Sequence, residues 1–200
     1  KILLGRVKLN IPGHHNVLNS LAAFGMCLEF DISFATIARS LESFKGVERR
    51  FEFKGTCNGA DIFDDYGHHP TEIKATLLMA QRRAKKRLHI AFQPHRFTRT
   101  QKLWDDFVNT FASAVPADYI IDTLYITDIY PASETPIPGI TAERLVEAIK
   151  AKNPGIKVAY ASYAQITDAM QSVVQDGDLF LTIGAGKINQ VAEALAGSPR

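Results

Sequence analysis

From residue 52 onward, short apolar runs of strand length alternate with longer stretches whose apolar residues recur at helical spacing. Few architectures satisfy that alternation. Strands so separated are joined by helical crossovers, which makes them parallel neighbours in one sheet with helices on its faces. The spacing predicts strands at 52–57 and 60–64, paired through Asn58-Gly59, a dipeptide suited to a tight hairpin turn. It then predicts helix 71–86, strand 88–92, helix 101–114, strands 119–122 and 124–129, and helix 141–152. Strand 157–161, helix 163–174, strand 179–183 and helix 188–196 complete the pattern. The expected fold class is α/β, with a doubly wound, mostly parallel sheet. The first fifty residues read differently. Residues 7–11 alternate like a half-buried strand, Pro12-Gly13 ends it, and a helix is expected over 15–29. Ser33 is a good cap for a second helix reaching Phe44. A boundary near residue 50 divides this mainly helical section (1–49) from the α/β section (50–200).

Charge narrows the partners. Twenty-three basic residues against 21 acidic ones leave a net charge of +2, which gives no electrostatic case for nucleic acid or a membrane surface. The one dense basic run, 82–87, closes a predicted helix, where cations offset the free carbonyls, and reads as a solvated helix end. Cys27 and Cys57 are far apart and lack Cys-x-x-Cys spacing, the pattern of buried thiols in a reducing compartment. No charged-then-apolar leader is present, and no apolar run approaches the roughly 20 residues of a membrane span. The expected location is the cytoplasm. The chain starts on a strand-like run without an initiator Met, so a piece of a longer protein is expected.

In a parallel sheet the loops after the strands open onto one edge, where ligands bind. Four such loops carry chemistry here. After 60–64 comes Asp64-Asp65-Tyr66-Gly67-His68-His69-Pro70-Thr71-Glu72, crowded with acids, imidazoles and a phenol at a strand-to-helix junction. Gly67 there offers backbone angles closed to other residues, and Pro70 fits a first helical turn. After 88–92 comes Gln93-Pro94-His95-Arg96-Phe97-Thr98-Arg99-Thr100, whose two arginines present planar donor forks suited to a carboxylate or phosphate. Tyr130-Pro131-Ala132-Ser133-Glu134 and Gly184-Ala185-Gly186-Lys187 follow two further strands. The second is as well explained by a tight turn as by a ligand. No Gly-x-x-x-x-Gly-Lys-Ser/Thr loop occurs, so nucleotide phosphates are not cradled here in that way. His68, His69 and Glu72, or His14 and His15, could ligate a metal, but neighbouring histidines seldom converge on one ion, and metal binding ranks below anion and nucleotide binding. Asn16 and Asn19 share one helix face, as a cap or as a pair of amides able to read a purine edge. Of the adjacent Arg49 and Arg50, at most one is expected to reach a ligand, since neighbours in an extended segment face opposite ways.

Several of these motifs resemble the Mur ligases: Pro12-Gly13-His14-His15-Asn16-Val17-Leu18-Asn19, Gly46-Val47-Glu48-Arg49-Arg50-Phe51-Glu52, and the Asp64 to Glu72 stretch. The Gln93 to Thr100 loop and Asp128-Ile129-Tyr130-Pro131-Ala132 are most similar to the branch that joins L-alanine to UDP-N-acetylmuramate. The branch that recycles murein tripeptide shares the Asp-x-x-x-His-His-Pro stretch and is the nearest alternative; a non-catalytic nucleotide- or anion-binding module is another. The resemblance implies a Rossmann-like C-terminal ligase domain at 50–200, preceded by the tail of a central ATP-binding domain at 1–49. The phosphate loop, the Mg ligands and the UDP site would lie upstream, and the chain alone would be inactive. It also implies an ATP-dependent ligation through an acyl phosphate, in peptidoglycan precursor synthesis. By position, Asn16 and Asn19 would hold adenine, Arg50 the nucleotide and Asp65 the ribose hydroxyls. Tyr66, His68, Arg96, Thr98 and Arg99 would surround the alanine, with His68 the catalytic candidate and the arginines clamping the carboxylate. No metal ligand is implied in this chain.

Overall fold

The computed structural model describes residues 3–11, 13–113 and 121–197, with the side chain of His15 left aside. Tertiary contacts separate the chain into two units, Lys1–Glu48 and Arg49–Arg200. In the first, α1 spans His14–Glu29 and α2 spans Phe34–Ser43. Ser33 caps α2 as expected, its hydroxyl accepting from Thr36 N at 3.3 Å. Phe24 and Phe34 meet edge to face at 5.6 Å and join the two helices. The strand expected at 7–11 does not form. Alternation alone cannot make a strand without a neighbour to bond, and the described part of this unit contains no other strand; the Asn10 side chain instead donates to the Glu42 carbonyl.

The second unit is a six-stranded sheet. β1 (Glu52–Cys57) and β2 (Ala60–Asp65) form the predicted hairpin, turning at Asn58 (φ 50°) and Gly59 (φ 81°). The remaining strands are β3 (Leu88–Phe92), β4 (Ile121–Ile126), β5 (Val158–Tyr160) and β6 (Leu179–Ile183), and the order across the sheet is β1-β2-β6-β3-β4-β5. Every pairing except β1 with β2 is parallel. Because β6 returns to insert between β2 and β3, the loops after β2, β6, β3 and β4 lie side by side at one edge. Strand alternation sorts the core: Leu88, Ile90 and Phe92 pack with Phe107, Phe111, Leu145 and Ile149 on one face, and Ala91 and Phe180 with Ile166, Met170 and Val191 on the other. The helices responsible are α3 (Pro70–Arg83), α5 (Trp104–Ala112) and α6 (Ala142–Lys152) on the first face, with α7 (Ile166–Val173) and α8 (Asn189–Gly197) on the second.

Four expectations are corrected. The helix expected at 101–114 is two, α4 (Phe97–Lys102) and α5, separated at Leu103 (φ −110°, ψ 23°). The strands expected at 119–122 and 124–129 are one, because Thr123 continues the ladder opposite His89; residues 119 and 120 lie outside the described residues. Helix α7 starts at Ile166 rather than 163, because Tyr163 is engaged in loop contacts. The basic run is not simply a solvated helix end either. Helix α3 stops at Arg83, and Arg87 Nη2 lies 2.6 Å from the buried Asp178 carboxylate, which also meets His89 Nε2 at 3.2 Å.

Candidate functional site

The Asp64 to Glu72 stretch is divided between structure and surface. His69 caps α3, its Nδ1 accepting from Thr71 N at 3.3 Å, while Glu72 Oε2 accepts from the backbone N–H of His68 (3.1 Å) and His69 (3.2 Å). Burial pushes the Glu72 carboxyl up, but these N–H groups, with His68 and Arg50 nearby, hold it below the ordinary carboxylate value. Pro70 opens the helix. Gly67 is required for space and not for its backbone angles: a Cβ there would lie 2.7 Å from Asp65 Oδ1. Tyr66 and His68 remain, their rings edge to face at 5.5 Å. His68 Nδ1 lies 3.1 Å from the Tyr66 carbonyl. A carbonyl only accepts, so in that contact Nδ1 carries the proton and Nε2 is left as an acceptor.

Asp64 and Asp65 end β2 fully buried, one on each side of the strand. Asp64 accepts from Thr182 Oγ1 at 2.6 Å and from Arg49 Nε at 2.8 Å. Arg49 also donates to the carbonyls of Gly184 (2.6 Å) and Gly186 (3.1 Å), and its guanidinium lies 5.1 Å from the centre of the Tyr66 ring. One side chain thereby ties the start of this unit to the loops after β2 and β6. The backbone at Arg49 (φ 58°) and Phe51 (φ 47°) is left-handed, a conformation that costs free energy without glycine and persists only when neighbours fix it. Glu52 Oε2 accepts from Arg49 N at 2.7 Å, and Asp65 Oδ2 from Phe51 N at 2.9 Å. Of the two adjacent arginines, Arg49 is thus turned into the protein, whereas Arg50 is exposed, 3.6 Å from Glu72 and 5.9 Å from the Tyr66 ring centre.

The arginine loop after β3 faces this row. His95 pairs with Tyr130 in an isolated parallel bridge and stacks on its ring at 5.4 Å, and the His68 ring lies 6.0 Å away. Arg99 Nη1 reaches His95 Nδ1 at 3.2 Å. Burial lowers the His95 pKa, and Arg99, His68 and Arg96 lower it further. Arg96 begins α4 with φ 72° and contributes no side-chain cap. The cap comes instead from Glu134, brought in by the turn after β4: it accepts from Thr98 N at 3.0 Å and Thr98 Oγ1 at 2.6 Å, and lies 3.7 Å from Arg96 Nη1. These donors hold the Glu134 carboxyl below its ordinary pKa. Gly184 and Gly186 pack against the same loops, since a Cβ on Gly186 would fall 2.4 Å from Gln93 Oε1 and 2.8 Å from Tyr130.

Tyr66, His68 and Arg99 are therefore brought together, linked through His95, with Arg96 at the margin. Two of the expected residues have competing contacts. Thr98 gives its hydroxyl proton to Glu134, so it fixes the loop and has no donor left for a substrate. Asp65 is 2% exposed; its Oδ1 already accepts from Gly67 N and Thr76 Oγ1 and its Oδ2 from Phe51 N, which leaves one lone pair of Oδ2 for a ribose hydroxyl. Burial raises the Asp65 pKa against these bonds. Asn16 and Asn19 lie on α1 of the other unit, half-buried and exposed respectively. Among the described residues no group of three or more His, Cys, Asp or Glu side chains is placed to hold a metal ion, and the metal reading of His14-His15 falls partly on a side chain left aside. No helix among them is long and apolar enough to cross a membrane. Sequence reasoning missed His95, Glu134 and the inward role of Arg49. Sequence could have flagged His95, which adjoins the arginines, but not Glu134, whose capping contact spans 36 residues.

The family model described as "Mur ligase, glutamate ligase domain" matches residues 49–186. Relatives named UDP-N-acetylmuramate–L-alanine ligase include one from Geotalea daltonii, 47% identical over 96% of this chain and 40% of the relative. Another from Solidesulfovibrio magneticus is 48% identical over 94% of this chain and 40% of the relative. The chain spans about 40% of the length of these relatives. A UDP-N-acetylmuramate-alanine ligase from Thermotoga maritima shares the fold with a TM-score of 0.71 at 24% identity, covering 94% of this chain and 38% of that one. A murein peptide ligase from Psychrobacter arcticus does so with a TM-score of 0.69 at 22% identity, covering 97% and 39%. The chain belongs to the Mur ligase family.

Proposed function

We propose that the protein carrying this chain joins L-alanine to the muramate carboxylate of UDP-N-acetylmuramate, consuming ATP, in peptidoglycan precursor synthesis. The observation that carries this reading is the row Tyr66–His68–His95–Arg99, edged by Arg96, in a chain 47% identical to a ligase of that name. The γ-phosphoryl of ATP passes to a carboxylate oxygen, giving an acyl phosphate and ADP. The alanine nitrogen then bonds to the carbonyl carbon, and the carbon–oxygen bond to phosphate breaks. Mg would supply charge neutralisation of the phosphates; among the described residues no group of three or more His, Cys, Asp or Glu side chains is placed to hold it.

In this reading Arg96 and Arg99 hold the alanine carboxylate, and Tyr66 and His68 flank the amine. The amine must lose its ammonium proton to attack, and we assign its removal to His68 Nε2, the nitrogen left as an acceptor when Nδ1 donates to the Tyr66 carbonyl. Holding the carboxylate fixes where the nitrogen points, so much of the rate gain is positional. For the nucleotide we assign amide contacts to Asn16 and Asn19, a phosphate or ribose contact to the exposed Arg50, and a ribose contact to the remaining lone pair of Asp65 Oδ2. The test is phosphate release by the full-length gene product with ATP and UDP-N-acetylmuramate. Release that depends on L-alanine is expected. Release that ignores L-alanine but responds to the tripeptide L-Ala-γ-D-Glu-diaminopimelate would replace this reading with the recycling one.

A further inference from the structure

We infer that His95 is a positioning residue that must be neutral at Nδ1 to aim the Arg99 guanidinium at an amino-acid carboxylate. The inference rests on the proposed alanine site and adds a control to it. A guanidinium has only donors, so the 3.2 Å contact from Arg99 Nη1 requires a lone pair on His95 Nδ1 and places the ring proton on Nε2. Nη1 also leans on the His95 carbonyl at 3.4 Å. With that nitrogen held, Nε and Nη2 form the remaining edge of the fork, and they donate to no protein acceptor among the described residues. A carboxylate engages two parallel N–H groups, and this edge supplies them. The ring cannot swing away, being stacked on Tyr130 and joined to it through the backbone bridge.

Protonating Nδ1 would replace the acceptor by an N–H aimed at a cation. The groups facing His95 resist this. Arg96 and Arg99 do so from its own loop and His68 from the loop after β2, while Glu134 from the loop after β4 opposes them, and Tyr130 contributes its ring face. The sign follows. The pKa in the folded protein lies below the ordinary imidazole value, so the contact is intact above that folded pKa and is lost as pH falls through it.

The experiment has two arms. In the 200-residue chain, nitrogen NMR of the His95 ring should show Nδ1 unprotonated at neutral pH, and Arg99→Gln should raise the ring's titration midpoint. A protonated Nδ1, or a midpoint indifferent to Arg99→Gln, overturns the proposal. In the full-length gene product, the KM for L-alanine should rise as pH falls through that midpoint while the KM for ATP does not follow it. His95→Phe, which keeps the ring but removes the acceptor, should raise the alanine KM about tenfold at every pH, the scale of one hydrogen bond to a charged group. His95→Asn, whose side-chain oxygen replaces the acceptor, should restore most of the affinity and flatten the profile. A His95→Asn profile as steep as the parent's also overturns the proposal. If the NMR coupling holds but Arg99→Gln leaves alanine kinetics unchanged, the alanine reading fails and the pairing stands.

Discussion

Arg99→Ala in the full-length gene product should raise the KM for L-alanine roughly 100-fold while moving the KM for ATP by less than about twofold. The size comes from the geometry. A fork held at one nitrogen by His95 offers two parallel N–H groups to a carboxylate, and charge-assisted bonds of that kind contribute about 3 kcal/mol. Arg99→Lys keeps the charge but loses the fork and should recover only part of the loss. Arg96→Ala should cost less, about tenfold, because the Arg96 side chain is 49% exposed and already shares its charge with Glu134 at 3.7 Å. Steady-state kinetics with each substrate varied in turn separate these outcomes. Equal increases in the alanine and ATP constants would mean that the loop had collapsed and would remove the carboxylate assignment.

The second large effect concerns stability. Arg49→Ala leaves the Asp64 carboxylate, fully buried, with Thr182 as its remaining side-chain partner, and orphans the carbonyls of Gly184 and Gly186. Breaking a buried pair from one side costs about 3–5 kcal/mol, because the surviving charge has lost both water and partner. For a domain of this size that corresponds to a melting temperature lower by roughly 6–20 °C. Trp104 is the only tryptophan of the chain and packs against the core of the second unit, so its fluorescence reports that unit's unfolding. Replacing both partners, Arg49→Met with Asp64→Leu, should recover most of the loss, since no charge is then stranded. A double variant as unstable as the single one would show that the carbonyl contacts matter more than the ion pair.

The strands and the helix caps were readable because their causes are local. Asn58-Gly59 turns the hairpin, Ser33 caps α2 through its own hydroxyl, and the apolar runs at β3 and β6 match the observed spans. Where sequence reading failed, a partner distant in the chain made the decision. Helix α4 starts at Phe97 because Glu134 satisfies Thr98 N, and the 7–11 pattern stays irregular for want of a neighbouring strand. The site shows the same division. Arg96 and Arg99 could be chosen from residue type and loop position, but the commitment of Thr98 to Glu134 and of Asp65 to Phe51 depends on loops that only the folded sheet brings together. Arg49 and Arg50 are adjacent in sequence, and no local rule could tell which one turns inward; the buried Asp64 decides it.

At the centre of this account is the claim that the loop after β3 grips the carboxylate of the incoming amino acid. L-Alaninamide tests it most directly, because it keeps the attacking amine and methyl group and removes only the carboxylate's charge. With ATP and UDP-N-acetylmuramate held saturating, the account predicts a kcat/KM for alaninamide about 100-fold or more below that for L-alanine, and a further Arg99→Ala loss far smaller for alaninamide than for alanine. Alaninamide turned over as efficiently as L-alanine would contradict it.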